Sequence, residues 1–180
     1  YSEEQAQAIV NEKGFVVRED AGRGWRRVVP SPKPQYIVEA AVIRSLVLAG
    51  VIVVSTGGGG IPVLRAEDGT LSGVEAVIDK DFGAAKLANV LNADTLLIVT
   101  SVESAKINFN TPDEQSLGRI SIEELKQHID NNQFAAGSML PKVQAALDFV
   151  STGKNRTAII TSLEKTAEAI NGTAGTRIES

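Results

Sequence analysis

The 180-residue sequence contains no cysteine. Disulfides, zinc–thiolate sites and thiol nucleophiles are thereby excluded together, and the composition fits a reducing cytoplasm. Aromatic residues make up only 4% of the chain, so a core has to be built from Val, Ile, Leu and Ala. The single histidine, His128, stands among Lys126, Gln127 and Asp130 on a polar helical stretch and reads as a surface residue. Neither a second His nor a Cys exists to complete a metal site with it, and no Ser–His–Asp arrangement is indicated. Long hydrophobic runs are missing as well. The longest, such as Val51–Val54, are strand-sized and far too short to cross a bilayer. The N-terminal YSEEQAQAIV lacks the basic-then-apolar pattern of a secretion signal, and it starts without Met, as expected of a processed, trimmed or fragmentary chain. A net charge of −4 and a pI near 5.1 argue against a nucleic-acid surface, which calls for a basic footprint.

What is present is the make-up of a globular α/β protein: 43% hydrophobic residues and a length sufficient for one domain with a real core. Three short runs, Val51–Ser55, Thr95–Thr100 and Thr157–Thr161, are continuously apolar or β-branched. Such runs fit strands covered on both faces in a parallel sheet. Helical periodicity predicts helices over Gln35–Ala49, Asp81–Leu91, Ser121–Asp130, Pro141–Val150 and Thr161–Ile170. Ser121 and Glu124 have capping-box spacing, and Pro141 suits a first helical position. Residues 14–34 read as a loop or small subdomain. Residues 62–78, with Asp68-Gly69 and Ser72-Gly73 between short apolar stretches, read as a β-hairpin. This alternation predicts an α/β sandwich with a mostly parallel sheet.

Four segments carry chemistry. Gly57, Gly58, Gly59 and Gly60 directly follow the 51–55 run, at the sheet edge where open α/β folds bind ligands, and their amides could approach phosphate oxygens. The run is neither a Walker A loop nor a dinucleotide fingerprint, and on its own it could be a tight connection. Asp79-Lys80-Asp81 opens a helix, with Asp81 a good N-cap. Lys80 there opposes the helix dipole, an objection that a bound anion would remove. Lys142 stands in the first turn of the Pro141 helix and raises the same objection. Two lysines at two helix N-termini, each beside small residues, suggest a phosphate clamp, and positioned positive charge is most of what phosphoryl transfer needs. Arg23, Arg26 and Arg27 cluster around the lone Trp25, where a solvated turn paired with Glu19 and Asp20 is the plainer reading.

Taken together, EDAGRGWRRVVPSPKP (Glu19–Pro34), GGGGIPV (Gly57–Val63), GVEAVIDKD (Gly73–Asp81), GSMLPK (Gly137–Lys142) and AIITSLE (Ala158–Glu164) resemble the carbamate kinases of the amino acid kinase family. The resemblance spans nearly the whole chain. It implies a three-layer α/β/α sandwich with a mostly parallel sheet, in which residues 1–34 are a remnant of a protruding subdomain and linker. Residues 35–180 would be a lobe binding ATP or ADP with Mg2+. It further implies that Lys142 contacts the phosphates and the transferring group, that Lys80 neutralises the phosphates, and that Asp81 orients the lysines. Ser138 and Met139 would lie against the nucleotide, and Thr100, Ser101 and Val102 would border the adenosine. The reaction implied is reversible phosphoryl transfer between carbamoyl phosphate and ADP, giving ATP and carbamate, in a cytoplasmic homodimer that uses no membrane, no nucleic acid and no protein-held metal.

Two departures accompany the resemblance. The family's N-terminal lobe, with its Gly-Gly-Asn phosphate loop, is expected to be missing, leaving sheet edges and apolar faces uncovered. TSVESAKINF (Thr100–Phe109) lacks the aromatic that relatives usually carry near Ala105 or Lys106, and Ala136 stands where Pro is common. The alternatives are a catalytically inactive nucleotide-binding fragment or pseudoenzyme, and another amino acid kinase. The EDAGRGWRRVVPSP segment speaks against the latter.

Overall fold

A computed structural model describes residues 1–20 and 22–179, leaving Ala21 of the arginine segment and Ser180 outside the described residues. The chain divides into two units, Tyr1–Pro32 with Ile61–Val77, and Lys33–Gly60 with Ile78 onward. In the first unit, α1 (Glu3–Lys13) is fixed at its start by a reciprocal pair: the Ser2 hydroxyl accepts from the Gln5 amide, and the Gln5 side chain accepts from the Ser2 amide. It stops at Gly14, whose φ of 65° is the left-handed conformation of a helix C-terminus. Two antiparallel hairpins follow: β1 (Val17–Glu19) pairs with β2 (Trp25–Arg27), and β3 (Val63–Arg65) pairs with β4 (Leu71–Gly73). The expected 62–78 hairpin turns at Asp68-Gly69, where the Thr70 amide donates to the Asp68 carboxylate at 2.9 Å.

The second unit is built on a mixed, mostly parallel sheet with strand order β5-β9-β10-β8. Strand β5 (Thr95–Thr100) runs parallel to β9 (Thr157–Ser162), which pairs antiparallel with β10 (Thr176–Glu179), itself parallel to β8 (Arg119–Ser121). Residues 158–162 of β9 are all buried, the outcome its unbroken apolar run predicts. In β10 Thr176 and Ile178 are buried while Arg177 and Glu179 are half-buried and ion-paired to each other, a period-2 pattern. Helices α3 (Lys80–Leu91), α4 (Ile122–Asp130) and α5 (Met139–Val150) pack on one another and on these strands. Leu96, Ile98, Ile120, Leu125, Val143, Phe149, Ile160 and Ile178 belong to this one core. A smaller hairpin, β6 (Lys106–Ile107) with β7 (Gln115–Ser116), leaves the sheet between β5 and β8.

Several expectations need correction. The run Val51–Ser55 forms no strand. It joins no ladder, and Ile52 and Val54 are each 95% exposed. A doubly covered strand needs neighbours to bond, and no described residue pairs with this one. Val42, Leu46, Val47 and Leu48 on α2 (Ala40–Leu48) are exposed apolar residues as well. The helix predicted over 35–49 is shortened to 40–48. The helix predicted from Thr161 starts at Thr166 (α6, Thr166–Ile170), because β9 carries on through Ser162. Helix α5 begins at Met139, so Pro141 occupies the third helical position, still within the first turn, where a missing N–H costs nothing.

Candidate functional site

The site starts from two helix N-termini in the second unit. Asp79 caps α3, its carboxylate accepting from the Asp81 amide at 2.8 Å. The capping role expected of Asp81 therefore belongs to Asp79, two residues earlier. Asp81 lies inside the first turn, and its side chain is turned to other use. Its Oδ2 accepts from Lys142 Nζ at 2.8 Å and lies 3.6 Å from Lys80 Nζ. One carboxylate thus stands between the lysines of two helices. Lys142 and Asp81 are almost fully buried, at 11% and 8% side-chain exposure, whereas Lys80 is 58% exposed. A buried lysine needs a partner charge, so Lys142 is no solvated surface residue.

Helix α5 brings Lys142 to this place with an unusual start. Its N-cap, Ser138, makes no side-chain capping bond, and an acidic residue is absent from the first turn. The positive end of α5 is left to Lys142 and to whatever approaches it. Ser138, Met139 and Lys142 line a cavity of about 170 Å³ with Thr100, Ser101 and Val102 from the end of β5. Six residues expected near a nucleotide are therefore gathered around one cavity. Ser104, Lys106, Phe109, Gln133, Phe134 and Ala135 complete its wall and were not among the site residues expected from the sequence. A polar turn, NFNTPD, that spends one of five phenylalanines was the signal available for Phe109.

The glycine run divides in two. Gly59 has a φ of 116°, and a Cβ there would overlap the carbonyl oxygen of Ile78, while a Cβ on Gly83 of α3 would approach the Gly59 oxygen at 3.3 Å. The turn is thus packed against the start of α3. Gly60 also needs a positive φ, 94°. Gly57 and Gly58 need neither: their φ values are not positive, and an added Cβ would meet nothing within 4 Å. The fold gives no reason for glycine at those two positions.

Elsewhere the plainer readings hold. Asp20 pairs with Arg23 at 3.0 Å and Arg26 at 2.9 Å, and Arg27 pairs with Glu75 and lies over the Phe15 ring. His128 is half-buried and meets Phe134 edge-on, 6.5 Å between ring centres. No helix among the described residues is long and apolar enough to cross a membrane.

Comparison with known proteins now decides the family. The Amino acid kinase family profile matches residues 4–162, most of the chain. The chain belongs to the amino acid kinase family. The carbamate kinase of Clostridium perfringens is 52% identical over 179 residues, 99% of this chain and 56% of that protein. That of Pyrococcus furiosus is 51% identical over 178 residues, again 99% and 56%. Among solved structures, carbamate kinase from Giardia lamblia bound to AMP-PNP matches with a TM-score of 0.89 at 48% identity, covering 99% of this chain and 56% of that one. The α/β class with a mostly parallel sheet read from the sequence is the one observed, and these carbamate kinases share the fold. The chain spans a little over half the length of the relatives it matches.

Proposed function

We propose that this chain carries the nucleotide side of a carbamate kinase active site, taking part in reversible phosphoryl transfer between carbamoyl phosphate and ADP to give ATP and carbamate. The observation that carries the reading is the Lys80–Asp81–Lys142 triplet at two helix N-termini, whose Lys142 also lines the cavity bordered by Thr100, Ser101, Val102, Ser138 and Met139. A stability argument alone does not account for it. Cations are unfavourable at helix N-termini by about 0.3–1 kcal/mol each. An anion bound between them turns both into assets.

Each residue then has a task. Lys142 is aimed by its bond to Asp81, so that its ammonium meets the phosphate chain and the transferring group with little freedom left to lose. Lys80, more than half exposed, neutralises the outer phosphates. Asp81 orients both and is no base, because its carboxylate is occupied by ammonium groups. Gly57 and Gly58, glycine without a folding reason, fit a wall that phosphate oxygens approach closely. Magnesium fits as a passenger of the nucleotide. Asp79 is taken up in capping and Asp81 by the lysines, and no cluster of three metal-binding side chains occurs among the described residues. Such an ion would be held by phosphate oxygens and water, and it would offset charge on the phosphates. A cytoplasmic homodimer, with residues 35–180 as the nucleotide lobe and 1–34 as part of a protruding subdomain, belongs to the same reading.

Calorimetric titration with Mg-ADP tests it. Wild type should bind, and Lys142→Ala and Lys80→Ala should each weaken binding by about 10-fold or more, as expected for loss of a charge-assisted contact. Unchanged affinity in both variants would refute the clamp.

A further inference from the structure

Among the described residues, Thr56 is the one other than asparagine or glycine with a positive φ, 58°. In that left-handed conformation Cβ crowds the carbonyl that follows, and β-branching makes the crowding worse. The other non-glycine cases are Asn92, Asn108, Asn110, Asn132 and Asn155, the type that tolerates the conformation best after glycine. The local fold gives no reason for the exception. The Gly59 amide donates to the Thr56 carbonyl, closing a turn with Gly57 and Gly58 at its centre, and such turns constrain φ only at their two central residues. The residues are thus placed the wrong way round for stability. Glycine stands at 57 and 58, where φ is not positive and a Cβ would meet nothing within 4 Å. Threonine stands at 56, where glycine or asparagine would relieve the strain.

The side chain is not kept for the fold either. Thr56 is half-buried, and its hydroxyl bonds none of the described residues. Strained backbone persists where its surroundings hold it, and it gathers where ligands are handled. The surroundings are clear. Gly59 is packed against the Ile78 carbonyl and against Gly83 of α3, so the turn that Thr56 opens is seated on the start of α3. The same helical start carries Lys80 and Asp81, and Asp81 reaches Lys142 at 2.8 Å. Lys142 lines the cavity at the end of β5, whereas Lys80 and residues 56–60 are not among its lining residues. The cavity and the glycine turn are therefore joined only through the lysine triplet.

We infer that Thr56 is a substrate-contact residue whose hydroxyl donates to the terminal phosphoryl group of a nucleoside triphosphate, the group that is transferred. The inference rests on the nucleotide reading above. A phosphate chain that leaves the cavity past Lys142 crosses to Lys80 over Asp81 and meets the glycine turn with its far end. There Thr56 supplies what neither lysine does, a neutral and directional donor. Its backbone is kept in a costly conformation by the packed turn, so the hydroxyl is aimed before the ligand arrives. Stability is given up at this position for a contact that only the loaded site makes.

The test sets affinity against stability. Wild type, Thr56→Val, Thr56→Ser, Thr56→Gly and Lys142→Ala are titrated calorimetrically with Mg-ADP and with Mg-AMP-PNP, which adds the terminal group, and their melting temperatures are measured. Thr56→Val keeps the shape and the strain but loses the hydroxyl. It should weaken Mg-AMP-PNP about 10-fold and leave Mg-ADP within twofold, as expected for loss of one bond to a charged group. Thr56→Ser should bind both ligands within about threefold of wild type. Thr56→Gly should lose Mg-AMP-PNP affinity like Thr56→Val while melting about 2–4 °C higher, a combination that a merely structural threonine would not give. Equal losses for the two ligands in Thr56→Val, or no loss for either, would overturn the inference, and so would a Thr56→Gly variant that melts below wild type. If Lys142→Ala still weakens both ligands, the nucleotide reading survives those results. Absence of binding to both ligands by folded wild type would remove the inference and the reading together.

Discussion

Replacing Lys142 with Met removes the ammonium from the buried pair while keeping most of the aliphatic stem in place. Asp81, 8% exposed, is then left with Lys80 at 3.6 Å as its remaining partner. Breaking a buried ion pair from one side costs about 3–5 kcal/mol, since the orphaned charge keeps its desolvation penalty. Lys80 is more than half exposed and can return at most about 1 kcal/mol. Asp81 also sits in the first turn of α3, where the helix dipole returns about 0.3–1 kcal/mol. The net expectation is a loss of about 2–3 kcal/mol. With a urea slope of about 1–3 kcal/mol/M, the unfolding midpoint should fall by about 1 M or more. Removing both charges, as Asp81→Asn with Lys142→Met, should recover most of the loss, because neutral replacement of a whole buried pair is often close to neutral. Urea titrations at pH 7 followed by circular dichroism measure all three. A Lys142→Met variant within about 0.5 kcal/mol of wild type, or a double variant losing the sum of its parts, would show that the pair is not buried and coupled as described.

Two further outcomes follow from local geometry. Gly59→Ala should destabilise by about 2 kcal/mol or more, from its positive φ and its overlap with the Ile78 carbonyl, while Gly57→Ala should leave thermal stability almost unchanged and weaken Mg-ADP binding. Stability of both variants by thermal melt, with calorimetry on Gly57→Ala, separates folding glycines from ligand-facing ones. Acid should unravel the start of α4: the Ser121 amide and hydroxyl, bonding the Glu124 carboxylate, hold it below its ordinary range. A carboxyl lowered in the folded state contributes in full above its unfolded value of about 4.3 and loses that contribution as pH falls through the lower folded value. Amide exchange at Ser121 should therefore accelerate, beyond the intrinsic rate, below about pH 4. Glu124→Gln should abolish that pH dependence.

How far the sequence reaches is seen in particular elements. The capping box of α4, the hairpin at Asp68-Gly69 and strands β5 and β9 were legible because each is specified by neighbours within a few residues. The 51–55 run was not, because an apolar run shows that a segment wants covering and says nothing of whether strands are present to cover it. Strand β10 was missed because four residues with one strong hydrophobe, Ile178, carry too little pattern. At the site, the lysines stood out by opposing their helix dipoles, and Asp79 and Asp81 exchanged roles because capping depends on where the first turn begins, which sequence fixes to within a residue or two. Phe109 went unnoticed since its cavity is assembled from two stretches of chain, 100–109 and 133–142, that are distant in sequence.

The central claim is that a nucleotide lies with its phosphates at Lys80, Lys142 and the glycine turn and its base along the 100–109 segment. Hydrogen–deuterium exchange of the chain with and without saturating Mg-ADP tests it most directly. Protection gathered in residues 57–60, 80–84, 100–110 and 138–142, with the 17–27 hairpin unchanged, is the predicted result. Protection confined to the arginine hairpin, or to none of these segments while ADP is demonstrably bound, would contradict the account.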